Sequence, residues 1–483
     1  MKLKQLLKGL SGFEVKGSKE VEISGLSADS RGTAPGHLFI AKKGTQCHGA
    51  QFIQQAVGSG AAAILSDLYD PFVLRTQIIH PNPAALEALL AARFYQFPAQ
   101  ELFVFGVTGT KGKTTTTYIA KHLLDALNIP SGLIGGVQTI AADLQFPSAL
   151  TTHDALFNQK WLREMVERQC KAAVLEVSSH GLAQNRAAEI AFDAALFTNL
   201  STDHLDYHKT IEDYAACKKR LFQCLDQSPK KNKRAFFNGD SSWTPWMREG
   251  IKTPSWTFGI DVPADVRATS ISFGVEGTRF EVDFQGQSAL FETSLIGKYN
   301  VYNFLGPIAL GLHLGASLQD LCAPVASFRT VPGRLERVGE NVFIDFAHTG
   351  ESLENVLCAL RPIASKRLLV LFGCGGNRDP NRRTFMAQAA EKYADISIVT
   401  TDNCRSEPPE VICRQILSGF VHPDRVCVEL DRRAAIFHAI RMLEQGDVLV
   451  IAGKGHEKNQ IFAHQSVPFD DVSVAQEALG EKR

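Results

Sequence analysis

The run Phe105-Gly-Val-Thr-Gly-Thr-Lys-Gly-Lys-Thr-Thr-Thr116 sets Lys113 and the hydroxyls of Thr114 and Thr115 directly after a glycine-rich turn. That pattern suits a polyphosphate. Backbone N–H groups of Gly109, Thr110 and Gly112, backed by the positive end of a following helix, would converge on an anion. Lys113 would bring a point charge to the β/γ-phosphates, and Thr114 a hard oxygen for Mg²⁺. The spacing is G-x-x-G-x-x-G-K-T, with Val107 where the simplest phosphate loop has its first glycine.

Other chemistry-bearing residues are scattered along the chain. Glu176 ends the apolar run Ala172 to Val177, and a carboxylate buried there needs a cation: Mg²⁺, a core lysine or a helix N-terminus. Ser178, Gln184 and Arg186 follow, with the make-up of an anion site or of an ordinary polar loop. His204 and His208 are four apart without an intervening glutamate or a helical pattern, which excludes a zincin motif and leaves His204 as a helix cap or core hydrogen-bonding group. Tyr214, Cys217, Leu221 and Phe222 form a helical apolar stripe on which Lys218 sits. A lysine there either snorkels to the surface or loses its charge, and a neutral amine can add CO₂ to become a metal-ligating carbamate. Asn300 and Asn303, one turn apart, suit a planar heterocycle such as adenine, with helix capping by Asn300 as the alternative.

The elements that must carry these groups are readable from periodicity. Leu102 to Val107 reads as a buried parallel strand, and Ile119, Leu123, Leu124 and Leu127 mark the helix after the turn. Strands are expected at 172–177 and 191–197, a strand-rich stretch at 254–296, and a helix from about 295 through Leu312. Val331-Pro-Gly-Arg-Leu-Glu336 reads as an interdomain joint. Beyond it, strands at 342–345, 367–372, 396–402 and 448–452 alternate with helices, as in a doubly wound sheet. Each runs into a polar loop: Asp345-Phe-Ala-His348, Gly373 to Asp379, Asp402-Asn-Cys-Arg405 and Gly453-Lys-Gly-His-Glu457. Before residue 100, short apolar runs broken by glycine, with Asp29-Ser-Arg31 between them, suggest a small α/β domain closed by a helix over 84–95. Three domains are expected, 1–100, 101–331 and 332–483, in keeping with a length of 483 residues.

Lys plus Arg and Asp plus Glu each total 51, so no net field favours nucleic acid or an anionic membrane, and small-molecule partners are expected. The ten cysteines show no C-x-x-C or metal spacing and read as reduced, buried thiols. No run of about 18 apolar residues occurs and the N-terminus lacks a signal-peptide pattern, so a soluble cytoplasmic protein without membrane insertion is expected.

Taken together, T-G-T-K-G-K-T-T, E-V-S-S-H-G-L, D-H-L-D-Y-H, Y-A-A-C-K, G-K-Y-N-V-Y-N, D-F-A-H-T and G-K-G-H-E resemble the Mur ligases, the ATP-dependent amide-forming ligases of peptidoglycan precursor synthesis. The resemblance covers essentially the whole chain. It implies an α/β, three-domain architecture with a central P-loop ATPase-like domain and a C-terminal Rossmann-like domain. The motifs look most like those of members that add the third residue to UDP-N-acetylmuramoyl-L-alanyl-D-glutamate, and D-N-C-R resembles the D-N-P-R of members using meso-diaminopimelate. The implied partners are that UDP-sugar dipeptide, meso-diaminopimelate and ATP, acting on a monomer. The resemblance further implies Lys113, Lys218 and His348 as catalytic, and Thr114, Glu176, His204 and a carbamylated Lys218 as metal ligands. It puts Gly109, Thr110, Gly112, Lys113, Thr114, Thr115, Asn300, Asn303, Arg334 and Asp345 on ATP. Ser30, Thr151, Thr152, Ser178, Gln184 and Arg186 fall on the UDP-sugar dipeptide, and Asp402, Asn403, Arg405, Gly453 and Glu457 on the incoming amino acid. The chain departs from the family pattern at Lys111 (usually Asn), Phe346 (Tyr), Gly350 (Pro), Asn377 (Asp) and Cys404 (Pro). L-Lysine as the acceptor, a folylpolyglutamate synthetase-like ligase and a nucleotide-dependent switch are the alternatives.

Overall fold

The computed structural model describes residues 1–44, 47–148, 150–274 and 276–482. Contacts between backbones group the chain into two compact units, one of residues 1–264 with 309–315 and the other of 265–308 with 316–482.

The first unit contains two sheets. The N-terminal one runs Glu14–Lys16, Thr76–Ile79, Ala63–Ser66, His37–Ile40, Gly25–Ser27, with only its first pair antiparallel. The second is parallel over six neighbours: Ser255–Gly259, Arg234–Asn238, Ala194–Phe197, Phe103–Thr108, Ala172–Glu176 and Ser131–Ile134. An antiparallel hairpin, Gln138–Ala141 with Leu144–Pro147, extends its edge. The apolar runs that read as strands are buried along their length, because helices cover both faces of such a sheet. Register decides the site: Glu176 lies beside Val107, and Phe197 beside Thr108. Three adjacent strands therefore end together, and the loops after Thr108, Glu176 and Phe197 emerge at one edge.

Gly106 has a different role from the other glycines of the motif. It lies within the strand, where a Cβ would come 2.8 Å from the Phe192 ring, so it serves packing and not the turn.

The second unit holds an antiparallel meander, Val266–Gly274, Gly277–Phe284 and Gln287–Thr293, and a mixed sheet. In that sheet Glu336–Arg337 pairs antiparallel with Val342–Asp345; Val448–Ala452, Leu368–Phe372, Ile396–Val399 and Val426–Val428 follow in parallel. Apolar clusters fill both of its faces. The carboxyl ends of its strands again share one edge, as the sequence pattern required. All ten cysteines are free, but only Cys170, Cys374, Cys404 and Cys413 are buried, and Cys47 and Cys358 are exposed, which corrects the expectation of uniformly buried thiols.

Candidate active site

The strand Phe103–Thr108 passes through Gly109 to Gly112 into the helix Lys113–Ala126, the order the sequence predicts. Gly109 has φ 151°, and a Cβ on it would fall 1.9 Å from Thr198 Oγ1; Gly112, at φ 83°, starts the helix in the left-handed region. A Cβ is excluded at Gly109 by that contact and would be strained at Gly112 by its backbone. Lys113 Nζ donates to the carbonyls of Gly109 (2.8 Å) and Thr110 (2.9 Å), which holds its ammonium over the turn. Thr115 is buried in the first turn of the helix. Asn199 Oδ1 accepts the Lys111 N–H at 2.9 Å, and Lys111 Nζ lies 3.7 Å from Asp203.

Thr114 Oγ1 donates to Glu176 Oε2 at 3.0 Å, while Glu176 Oε1 accepts the Gly136 N–H at 2.9 Å. The pair supplies a hydroxyl and a carboxylate oxygen at the phosphate loop, a hard donor set that fits Mg²⁺. Among the described residues no group of three or more His, Cys, Asp and Glu is placed to hold a metal ion.

Lys218 does not snorkel. On the helix Ile211–Gln227 its side chain is 1% exposed, its Nζ donates to Gly109 O at 2.7 Å and it lies 4.3 Å from the centre of the Tyr214 ring. Burial first, and Lys113 nearby second, hold its pKa well below the ordinary lysine value, with Asp203 opposing. The amine is thus biased toward the neutral form that reacts with CO₂. His204 adopts φ 55° at the start of the helix Leu205–His208, but its side chain makes no capping bond, so the capping role expected of a lone histidine is not taken up. Its ring stacks edge-on to His180 at 4.8 Å. Partial burial, then His180, Lys113 and Lys218, lower its pKa to about 4 against the pull of Asp203. His204 is therefore neutral near pH 7 with a lone pair available. His208, by contrast, is buried with Nε2 3.0 Å from Ser179 Oγ.

Thr152, Ser178, Gln184 and Arg186 form one network. Thr152 Oγ1 donates to Glu176 O (2.9 Å) or Ser178 Oγ (3.0 Å) and accepts the Ser178 N–H; Arg186 donates to Thr152 O (2.7 Å) and Gln184 Oε1 (2.7 Å). Thr151 faces Gly136, where a Cβ would be 3.3 Å from its hydroxyl. Ser30 lies in the short helical turn Ser30–Gly32 between the strands Gly25–Ser27 and His37–Ile40, and donates to Gln55 Oε1 at 2.8 Å.

In the second unit Asn300 is not a cap. It lies within the helix Lys298–His313, its Nδ2 donates to Ile296 O (2.8 Å), and its Oδ1 accepts from Asn303 Nδ2 (3.0 Å). Asp345 Oδ1 and Oδ2 accept the Ala347 and Leu335 N–H groups, each at 2.7 Å, and burial raises its pKa despite Arg334. Arg334 stacks over Phe346 (4.7 Å), whose other neighbours are His348 (4.6 Å) and His456 (5.0 Å). His348 is exposed. Gly333 lies so close to the Gly453–Glu457 loop that a Cβ would sit 2.2 Å from His456 N.

The loops after Phe372 and Val399 are laced together. Arg405 Nη1 donates to Gly376 O (2.7 Å), the Gly376 N–H to Asn403 O (2.9 Å), and the Ser406 hydroxyl to Asn377 Oδ1 (2.8 Å). Asn377 takes φ 54°, a conformation asparagine tolerates. The Nε and Nη2 edge of Arg405 makes no hydrogen bond within the described residues. Asn403 Nδ2 donates to Glu457 Oε2 at 2.7 Å, and Gly453 lets Asp402 approach so closely that a Cβ would be 2.5 Å from its Oδ2. Cys404 is buried in the proline position, its thiol pushed up to about 11 by burial, so it is inert. At Gly350 a Cβ would lie 2.5 Å from that of Phe385, which explains why this chain has no larger residue there.

Sequence reasoning gave no role to His180, Asp203, Lys454 or the buried pair Arg432–Asp471, and placed Tyr214 only as an apolar neighbour of Lys218. His180, Asp203 and Lys454 lie inside quoted motifs; the pair joins positions 39 apart and leaves no local signal.

A glycine-rich loop of phosphate-binding form on a parallel sheet, followed by a second doubly wound sheet whose strand-end loops are laced to one another, has the form of an α/β nucleotide-using protein. The chain belongs to the Mur ligase family: the Mur ligase family catalytic domain matches residues 22–95, the Mur ligase middle domain 107–311, and the Mur ligase glutamate ligase domain 333–455. The UDP-N-acetylmuramoyl-L-alanyl-D-glutamate–2,6-diaminopimelate ligase of Chlamydia pneumoniae is 42% identical over 485 residues, covering 99% of each chain. The ligase of the same name from Geobacillus kaustophilus (strain HTA426) is 39% identical over 100% of each chain. A solved structure of a ligase with that name superposes with a TM-score of 0.70 at 29% identity, over 100% of this chain and 99% of that one. The family and three-domain α/β architecture expected from the sequence are borne out.

Proposed function

We propose that this protein joins meso-diaminopimelate to the D-glutamyl γ-carboxylate of UDP-N-acetylmuramoyl-L-alanyl-D-glutamate, converting ATP to ADP and phosphate, in cytoplasmic peptidoglycan precursor synthesis. Residues 1–100 would bind the UDP-sugar, 101–331 the ATP and 332–483 the amino acid, in a monomer. The observation that carries the ligase reading is the buried amine of Lys218 bonded to Gly109 O of the phosphate loop. A switch that only binds nucleotide has no use for it. The substrates follow from the activity named for full-length relatives.

The γ-carboxylate attacks the γ-phosphorus and ADP leaves, giving an acyl phosphate; the amine then attacks the acyl carbon, phosphate departs and the amine loses its proton. Lys113 neutralises oxyanion charge as it is redistributed during transfer. Thr114 and Glu176, with His204 and a Lys218 carbamate, would hold Mg²⁺, which supplies further neutralisation when bound. Thr151, Thr152, Ser178, Gln184 and Arg186 orient the dipeptide, and Ser30 the uridine end. Asn300, Asn303, Arg334 and Asp345 serve the nucleotide, with His348 a candidate base for the amine.

Acceptor choice rests on Arg405 and Glu457. The open Nε–Nη2 edge of Arg405 matches a carboxylate side-on, and the distal carboxylate is what L-lysine lacks. Phosphate release with the UDP-sugar dipeptide and ATP, comparing the two acceptors, tests this. Meso-diaminopimelate should be preferred by at least ~100-fold in kcat/KM, and Arg405→Ala should abolish the preference through KM without changing the KM for ATP. Equal use of L-lysine by the unaltered enzyme would refute the acceptor assignment.

A further inference from the structure

We propose that Lys454 is a positioning residue for the acceptor amino acid, setting the orientation of both Asn403 and Glu457; this rests on the ligase reading above. Its side chain is 0% exposed, and its Nζ donates to Asn459 O (2.6 Å), Asn403 Oδ1 (3.2 Å) and Glu457 Oε2 (3.2 Å). Asn403 Nδ2 donates to the same Glu457 oxygen at 2.7 Å, closing a triangle of side chains.

That triangle fixes two choices a free side chain would leave open. Asn403 Oδ1 also accepts the Ile461 N–H at 3.0 Å, so the amide cannot flip without breaking two bonds to oxygen. Glu457 Oε2 is taken up by Lys454 and Asn403, whereas Oε1 carries no bond among the described residues and the side chain is 35% exposed. The carboxylate therefore presents one defined oxygen, suited to a substrate ammonium. Space filling does not require a lysine here: methionine has a similar length and would carry no charge into a dry site. The ammonium is explained by what it holds.

The experiment measures steady-state kinetics of Lys454→Met, Glu457→Gln and the double variant with ATP, the UDP-sugar dipeptide and meso-diaminopimelate. Lys454→Met should raise the KM for meso-diaminopimelate by about tenfold or more, with kcat and the KM for ATP within about twofold. Because both residues act on one oxygen, the double variant should be within about twofold of the worse single variant. An unchanged acceptor KM, a parallel loss in every parameter, or multiplying effects would each overturn the assignment. If Lys454→Met is insoluble, Lys454→Leu, which likewise removes every donor, is read by the same criteria. Unaltered enzyme that forms no product with meso-diaminopimelate overturns the functional reading itself, and this proposal with it; product formation with an unmoved KM overturns only the role of Lys454.

Discussion

Replacing Arg432 by methionine should destabilise the C-terminal sheet by roughly 5–7 kcal/mol. The guanidinium is completely buried; Nε and Nη2 donate to Asp471 at 2.8 and 2.7 Å, Nη1 donates to Thr401 O at 3.1 Å, and Nη2 also donates to Ala452 O at 3.0 Å. Breaking a buried pair from one side leaves an uncompensated charge, a loss of roughly 3–5 kcal/mol. Each orphaned carbonyl adds about 1 kcal/mol where water does not reach it. Ala452 ends its strand and Thr401 lies two residues past the end of Ile396–Val399, immediately before the 453–457 and 402–405 loops, so the loss falls on the acceptor site's footing. Native-state hydrogen exchange of Leu368–Phe372 and Val448–Ala452 reads it locally, without requiring the whole chain to unfold in one step. Arg432→Met with Asp471→Leu removes both charges and should recover all but about 2 kcal/mol. A single-variant loss below about 1.5 kcal/mol, or a double variant no better than the single, would refute the reasoning.

Lys218→Ala should lower turnover by at least ~100-fold, with partial rescue by a short carboxylate such as acetate; full activity without rescue would remove the carbamate. Lys111→Asn should retain turnover and shift the KM for ATP by less than about fivefold, since a partly exposed pair such as Lys111–Asp203 is worth about 1 kcal/mol or less; inactivation would mean that Lys111 has become essential to the cradle. His456, mostly buried with Nδ1 unpartnered, has its pKa lowered to about 4 by burial and then by Arg334. The unfolded chain takes up its proton first, so stability falls as pH drops from about 6.5 to 4, by up to roughly 3 kcal/mol for this group. His456→Gln should flatten that slope in urea titrations at pH 7, 5.5 and 4.5, and an unchanged slope would contradict the assignment.

Strand-loop-helix order around Lys113 and the four strand-end loops of the last sheet were legible because buried parallel strands and helical stripes leave strong local periodicities. Lys218 shows the limit. Its place on an apolar stripe was visible, but whether a lysine stem reaches water depends on Gly109 and Tyr214, which come from other elements. Capping was the alternative for Asn300 because caps are local; the structure moves it two residues into the helix, donating back to Ile296. Gly106 was legible as a strand residue, but not the reason for a glycine there: the ring it accommodates belongs to Phe192, 86 positions on in the sequence. Arg432 and Asp471 pair across 39 positions, and the Lys454 triangle across 51 positions to Asn403, so no window of sequence contains either.

The most direct test of the account follows oxygen. UDP-N-acetylmuramoyl-L-alanyl-D-glutamate carrying ¹⁸O in its γ-carboxylate, incubated with ATP and meso-diaminopimelate, should yield one ¹⁸O in the phosphate released for every amide formed, with the other retained in the amide carbonyl. Unlabelled phosphate accompanying amide formation, or ATP hydrolysis without an amide, would contradict a ligase acting through an acyl phosphate.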